Sequence, residues 1–414
     1  MMTKPFHVMA KAVSYQCNLA CDYCFYLEKE QGTLKPKMAA RHMDDDTLEA
    51  YVRQYIQATP ANEVEFTWQG GEPTLAGLAF YEKALALQQR YAEGKTIRNS
   101  MQTNGVLIDE RWAAFLAKHH FLVGLSIDGP AWLHDRYRKT HAGKSMFDKV
   151  VHALQLLRAY GVEVNVLAVV NNETAEHALA VYHFITQELR ADFVQFIPAV
   201  EQRPVHEKYG ELLYPQSLTQ RRVTDWSVSG EQYGRFITTV FDYWVRHDVG
   251  RVYVQLFDSA LAAWAGEKPS LCVMQSRCGY GLVVEQNGDV YSCDHYVYPA
   301  HRLGNLRKGS LQQMANSKQQ RKFGLAKAAV SAECQRCEWR FACHGGCPKH
   351  RIHQQGEHWH NHLCAGYKAM FSHMAPYMAF MAGQLKQRQP PAAVMEIAAV
   401  IAAHNAPGTQ AKFQ

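Results

Sequence analysis

The sequence predicts an α/β protein: a partial (β/α)6 TIM-type barrel followed by a smaller, cysteine-rich C-terminal module. Three observations predict it. Short apolar runs alternate with amphipathic stretches from about residue 6 to 250, and such alternation builds parallel strands joined by crossover helices. Polar, turn-forming segments recur directly after successive strand candidates, where barrel sites are built. The 11 cysteines are unevenly spread, with three between positions 17 and 24 and eight between 272 and 364.

The strands are expected at FHVMAKA (6–12), EVEFTWQ (63–69, with Val64, Phe66 and Trp68 on one side), TIRNSMQ (96–102), FLVGLSI (121–127), VEVNVLAVV (162–170) and DFVQFIP (192–198). Helices are expected over 45–58 behind the cap Asp44, 77–93, 109–119 starting at Asp109, 145–160, 173–189 and 230–248. Six such units make an open barrel rather than the closed one of eight. Beyond 250 the texture changes. LVVEQNGDVYSC places Asn287-Gly288 between two β-prone runs, a hairpin signal. The chain after this hairpin is rich in Cys, His and Gly with few apolar stripes, so bound metal is expected to supply part of its stability. The apolar stretch AAVMEIAAVIAAH, short and interrupted by Glu396, reads as a weak helix, and Pro390-Pro391 and the polar end read as a loosely attached tail. The expected domains are therefore 1–250 (barrel), 251–370 (cysteine-rich module) and 371–414 (a C-terminal helix and loose tail).

Composition excludes more than it assigns. Apolar residues make up 47% and charged residues 20% of the 414 positions, as in a soluble globular protein, and the net charge of +6 comes without a dense Lys/Arg run. No nucleic-acid partner is expected. The N-terminal stretch lacks the apolar core of a secretory signal, and no run approaches a membrane span. A cytoplasmic location is the expectation, with no membrane partner. In a reducing compartment disulfides are rare, so dense cysteines point to metal or catalysis.

The first cysteines, Cys17-x3-Cys21-x2-Cys24, follow the first strand on one tight loop. Three thiolates hold three irons of a cubane and leave the fourth open, whereas electron-transfer clusters are closed by four cysteines. The competing reading is a zinc site completed by His7 or His42, but zinc favours four ligands in C-x2-C pairs. WQGGEPTL (68–75) follows the second strand, QTNG (102–105) the third and SIDGP (126–130) the fourth. Each alone is an ordinary turn; at corresponding strand ends they face one mouth. The other eight cysteines are Cys272, Cys278, Cys293, Cys334, Cys337, Cys343, Cys347 and Cys364, two sets of four and enough to close two cubanes. Two zinc sites would use the same count, although CxxC-x5-C-x3-C is not a usual zinc-ribbon spacing. His344, His350, His353, His358, His360 and His362 crowd the same region as possible ligands or surface residues.

The N-terminal cysteine spacing is similar to that of the radical S-adenosylmethionine (SAM) superfamily, and the eight-cysteine pattern resembles a SPASM domain. CNLACDYCFYLEKE, WQGGEPTLAG, QTNGVLIDE, FLVGLSIDGP, CDHYVYP, RLGN and CHGGCPKHR together resemble the anaerobic sulfatase-maturating enzymes, from about Phe6 to Tyr367. The resemblance implies a radical SAM partial barrel carrying three [4Fe-4S] clusters and SAM. Cys17, Cys21 and Cys24 would hold the SAM cluster, while Tyr23, Gly70, Gly71, Ser126, Arg138 and Val200 would line SAM. One auxiliary cluster would take Cys272, Cys278, Cys293 and Cys347; the other would take Cys334, Cys337, Cys343 and Cys364. Asp294 falls on the position of the family's proton acceptor; its bland alternative is a hairpin-end carboxylate binding amides.

The implied reaction oxidises a Cys or Ser of a sulfatase, in a C/S-x-P-x-R motif, to Cα-formylglycine without oxygen. Its partners would be a peptide or unfolded sulfatase and a low-potential donor such as flavodoxin or ferredoxin. Two other readings stand beside it. Another SPASM peptide chemistry, such as thioether or carbon–carbon cross-linking, would leave no aldehyde. A non-catalytic iron–sulfur carrier or zinc-organised binding protein would release no 5′-deoxyadenosine.

Overall fold

The computed structural model describes residues 6–26, 29, 42–204 and 221–404. Its strands are β1 (His7–Lys11), β2 (Glu63–Gln69), β3 (Thr96–Thr103), β4 (Leu122–Ser126), β5 (Glu163–Val170), β6 (Phe193–Pro198), β7 (Gln202–Pro204), β8 (Arg221–Val223), β9 (Tyr253–Val254), β10 (Gly281–Glu285), β11 (Asp289–Tyr291), β12 (Arg302–Asn305), β13 (Arg351–Gln355) and β14 (His358–Asn361). β1 to β6 pair in sequence order and all in parallel, as the alternation predicts.

Local chemistry sets the element boundaries. Asp44 caps helix Asp45–Ala58 by accepting from the Thr47 amide at 2.8 Å, and Asp109 caps Glu110–Lys118 through the Trp112 amide at 2.9 Å. Ser229 and Gln232 form a capping box at the start of Gly230–His247. On β2, Val64, Phe66 and Trp68 are buried together against Tyr51, Tyr55, Phe80 and Tyr81 of the outer helices. The opposite face of the sheet, turned into the barrel, carries Thr67, Gln69, Ser100, Gln102 and Asn165 beside Leu122 and Leu167. Lys11 donates to Gln69, and Gln69 to Gln102, across three adjacent strands.

Several expectations change. The cysteine-rich module is not a separate body, because β10 pairs in parallel with β1 and then turns through Asn287-Gly288 into the antiparallel β11 and β12. One ten-stranded sheet, in the order β12-β11-β10-β1-β2-β3-β4-β5-β6-β9, therefore runs through both parts. Helix Cys364–Lys386 also crosses the expected boundary at 370, burying Met370, Phe371, Met374, Met378 and Met381. The tail is not loose as far as residue 404. Helix Val394–His404 follows the two prolines and buries Val394 and Ala398 in the main core. The polar end, 405–414, lies outside the described residues, as do positions 27, 28 and 30 of the CNLACDYCFYLEKE string. The single helix expected over 173–189 is broken into a 3-10 turn, a short α-helix and a π turn. There the Thr186 hydroxyl donates back to the Tyr182 carbonyl at 2.8 Å, a local competitor of the helical ladder.

Candidate active site

The loop carrying Cys17, Cys21 and Cys24 leaves the C-terminal end of β1 and lies across the barrel mouth. On one side Leu19, Cys21, Tyr23 and Trp226 pack with Val106, Val169 and Ala199 from the ends of other strands. On the other side Cys24, Phe25 and Tyr26 pack with Val283, Tyr291 and Val297 of the C-terminal module. One loop is thus sandwiched between the two parts of the molecule.

Gly70 and Gly71 hold that loop from below. The Gly71 amide donates to the Ser14 carbonyl at 2.6 Å and the Glu72 amide to the Gln16 carbonyl at 2.8 Å. A Cβ on Gly71 would stand 1.9 Å from the Gln16 oxygen, so only glycine fits this approach. Replacing Gly71 with alanine is expected to displace the loop and lose its cluster alone. Iron per chain should fall by about one third, as one of three clusters, and SAM cleavage should vanish. A colorimetric iron assay showing full loading in Gly71→Ala would contradict this.

Glu72, fully buried, ties GGEP to QTNG by accepting from Thr103 Oγ1 at 2.6 Å and from the Asn104 amide at 2.8 Å. Asn104 in turn reaches Asn18 Oδ1 at 2.7 Å and Cys17 Sγ at 3.7 Å. SIDGP contributes Asp128, which accepts from Arg138 Nε at 2.9 Å, Arg138 Nη2 at 3.1 Å, the Val169 amide at 2.9 Å and the Tyr23 hydroxyl. Ser126, the last residue of β4, and Val200, after β6, are both buried at the same mouth. The structure thus brings Tyr23, Gly70, Gly71, Ser126, Arg138 and Val200 to the C-terminal strand ends beside the three cysteines. Asp128, Glu72 and Asn104 are the additions: the motifs containing them were legible, but their partners lie up to 105 residues away in sequence.

All eleven cysteines are free thiols, and their electrostatic neighbours sort them into three groups. Burial, Glu72 and Cys24 push Cys17 up to about 12, and Cys21 is raised by burial and by Cys24 and Cys17 against the pull of Arg138. Burial and Cys347 raise Cys272 to about 11 and Cys278 to about 12, while Cys293 rises through burial, Asp294 and Cys347. Burial and the company of Cys334 and Cys337 raise Cys343 to about 12 and Cys364 to about 11. These last four line a common cavity. Cys272, Cys278 and Cys293 thus share Cys347 as a neighbour.

Crowded thiols that resist ionisation alone are the donor set a cationic cluster stabilises as thiolates. Among the described residues, no three His, Cys, Asp or Glu side chains close tightly enough on a point to hold a lone metal ion. Two buried cations serve the groups. Lys327 donates to the Cys272 and Val273 carbonyls at 2.7 and 2.9 Å, and Arg351 donates to the carbonyls of Lys327, Ala329, His344 and Gly345 between the two C-terminal groups. Among the crowded histidines, His353 pairs with His362 at 2.9 Å, and His362 also meets the Val228 carbonyl at 3.2 Å.

Asp294 sits at the seam. Its Oδ1 lies 3.5 Å from Cys293 Sγ. Burial opposes its ionisation, but His295, Lys11, the Cys293 hydrogen bond and Lys349 hold it below the ordinary carboxylate range. Lys349 forms a buried ion pair with Glu201, the residue after Val200, and stands 4.6 Å over the Phe25 ring. Lys11 of β1, His295 and Lys349 therefore converge around one carboxylate.

Comparison with known proteins agrees with this arrangement. Residues 12–185 match the Radical SAM superfamily and 272–338 match SPASM, an iron-sulfur cluster-binding domain. The chain is 44% identical over 396 residues to a serine-type anaerobic sulfatase-maturating enzyme of Bacteroides thetaiotaomicron, covering 95% of each. It is 35% identical over 386 residues to a cysteine-type enzyme of Clostridium perfringens, covering 92% of this chain and all of that one. The solved structure of native anSMEcpe with bound AdoMet superposes with a TM-score of 0.80 at 35% identity, covering 92% of this chain and 100% of that one. At 44% and 35% identity over more than nine tenths of each chain, this chain belongs to the anaerobic sulfatase-maturating enzymes of the radical SAM superfamily.

Proposed function

We propose that this chain oxidises a Cys or Ser side chain of a sulfatase segment to Cα-formylglycine without oxygen, using SAM and three [4Fe-4S] clusters. The observation that carries the reading is the placement of Asp294 between the barrel mouth and the Cys272/Cys278/Cys293/Cys347 group. Cys17, Cys21 and Cys24 would hold the cluster that leaves one iron for SAM, with the two C-terminal sets holding closed clusters. When bound, that pair of cofactors supplies a 5′-deoxyadenosyl radical able to take hydrogen from an unactivated carbon, which no side chain can do.

The residues do the rest. Tyr23, Gly70, Gly71, Ser126, Arg138 and Val200 would form the wall against SAM. Asp294, ionised, would take the hydroxyl or thiol proton of the target as general base. Loss of one hydrogen atom, one proton and one electron converts serine to the aldehyde; a cysteine gives a thioaldehyde that hydrolyses. The electron would leave through the auxiliary sets toward an external acceptor, and a flavodoxin or ferredoxin would supply the reducing electron. Among the described residues no helix is long and apolar enough to cross a membrane, and we place the reaction in the cytoplasm.

The test is anaerobic turnover of peptides bearing C-x-P-x-R or S-x-P-x-R with SAM and dithionite. Mass spectrometry is expected to show aldehyde in step with 5′-deoxyadenosine. A cross-linked product lacking the aldehyde would instead support the other peptide chemistry.

A further inference from the structure

The barrel interior below the site is hollow and of mixed lining, Thr67, Ser100, Gln102, Asn165 and Gln195 beside Leu122 and Leu167, where barrels are ordinarily packed with branched apolar side chains. A cavity of about 290 Å³ opens there, lined from the first residues of β4 and β6 up to Gln102 and Leu167. It therefore runs from the N-terminal end of the strands toward the mouth that carries the cysteine loop. The lining holds no Lys, Arg or His and a single carboxylate, Asp258, on helix Gln255–Ala265.

Asp258 has no ion pair or hydrogen bond among the described residues. It is exposed into the cavity but walled by protein, and that partial burial pushes it up to about 6. One turn away, Gln255 Oε1 is buried with no partner among the described residues. Both acceptors lie on one helix face, three residues apart. At the rim Phe193 and Tyr253, paired across β6 and β9, are 47% and 42% exposed and stack with centroids 5.0 Å apart at 13°. Such a platform of aromatic faces beside unpaired acceptors suits a planar cation, which stacks on rings and donates from a fork of N–H groups.

We propose that this cavity recognises the arginine of the substrate segment, with Asp258 as the discriminating residue, Gln255 as a second acceptor and Phe193–Tyr253 as the stacking face. The inference rests on the sulfatase-maturating function proposed for this chain, in which an arginine follows the target residue by four positions. Reach agrees with it. An extended segment advances about 3.3 Å per residue, so the fourth residue lies roughly 13 Å from the target. Eight-residue β5 spans roughly 26 Å. A target at the C-terminal mouth thus leaves its arginine side chain in the lower half of the barrel.

The test uses reconstituted holoenzyme and two fluorescent peptides that differ only in arginine or citrulline at that fourth position. Wild type is expected to bind the arginine peptide about 10- to 100-fold more tightly, the range for hydrogen bonds to a charged group. Asp258→Asn should bring the two within about twofold and Asp258→Glu should keep most of the difference, with iron content and SAM binding unchanged in both. Discrimination that survives in Asp258→Asn, or is absent from wild type, overturns the proposal. Aldehyde formation is scored on the same samples. Arginine-dependent binding without aldehyde would sink the sulfatase reading and leave the cation pocket standing.

Discussion

Asp294→Asn is expected to lose about 10²- to 10⁴-fold in aldehyde formation, the usual contribution of a positioned general base, while keeping its clusters and its capacity to cleave SAM. The amide preserves the shape of the carboxylate but cannot accept a proton as a base. Removing the negative charge also takes away one of the charges that Lys11 and Lys349 face, although Lys349 keeps Glu201 and Lys11 keeps Glu285 nearby. Asp294 is held below the ordinary carboxylate range, so it is ionised at neutral pH and ready to accept. A group held low is a reluctant base toward an ordinary alcohol. It becomes an adequate one once the target carbon has lost hydrogen, because a hydroxyl or thiol on a carbon radical is more acidic than in the parent. Release of 5′-deoxyadenosine should therefore persist in the variant without matching aldehyde. Mass spectrometry of both products from one reaction checks this, and wild-type aldehyde yield would remove Asp294 from the mechanism.

The second large effect is structural. Replacing Asp128 with alanine is expected to cost about 3–5 kcal/mol, the range for stripping one partner from a buried ion pair. Arg138 and Asp128 are both deeply buried, and the Val169 amide and the Tyr23 hydroxyl would lose their acceptor in the same stroke. Domain stability is about 5–15 kcal/mol, so the melting midpoint measured without oxygen should fall sharply. The loop should suffer first, since Tyr23 lies between Cys21 and Cys24. Iron loss is expected at the N-terminal site ahead of the auxiliary sites. Asp128→Asn, which keeps one acceptor, should fall between wild type and alanine. An unchanged midpoint in Asp128→Ala would show that the pair contributes no net stability.

Periodicity made most of the barrel legible. Val64, Phe66 and Trp68 alternate as a half-buried strand must, and Asp44 and Asp109 announce helices that begin where each cap's donors need them. Cys17, Cys21 and Cys24 were readable because their chemistry is local: three ligands on eight residues. The features that stayed hidden depend on pairing at long range. The alternation in LVVEQNGDVYSC shows a hairpin, but nothing in it says that His7 to Lys11 will be its parallel neighbour. Glu72 and Asp128 sat inside recognised motifs, yet their work is done with Thr103, Asn104, Tyr23 and Arg138. Asp258 gave no signal at all, since an acid on a helix ordinarily reads as a solvated face. The apolar stretch after Pro391 was short and interrupted by Glu396, and only the packing of Val394 and Ala398 shows that it is anchored.

The parallel contact between β1 and β10 has a practical outcome. A chain cut near residue 250 would keep six barrel strands but strip β1 of its outer neighbour, leaving a row of backbone donors and acceptors exposed along His7–Lys11. Bare margins of this kind recruit other chains and seed aggregation. The barrel is thus not a portable catalytic unit to be fused to a different auxiliary module at will. Any chimaera must import a β10 equivalent in the same register, or the product will be lost to insolubility before its chemistry can be asked about.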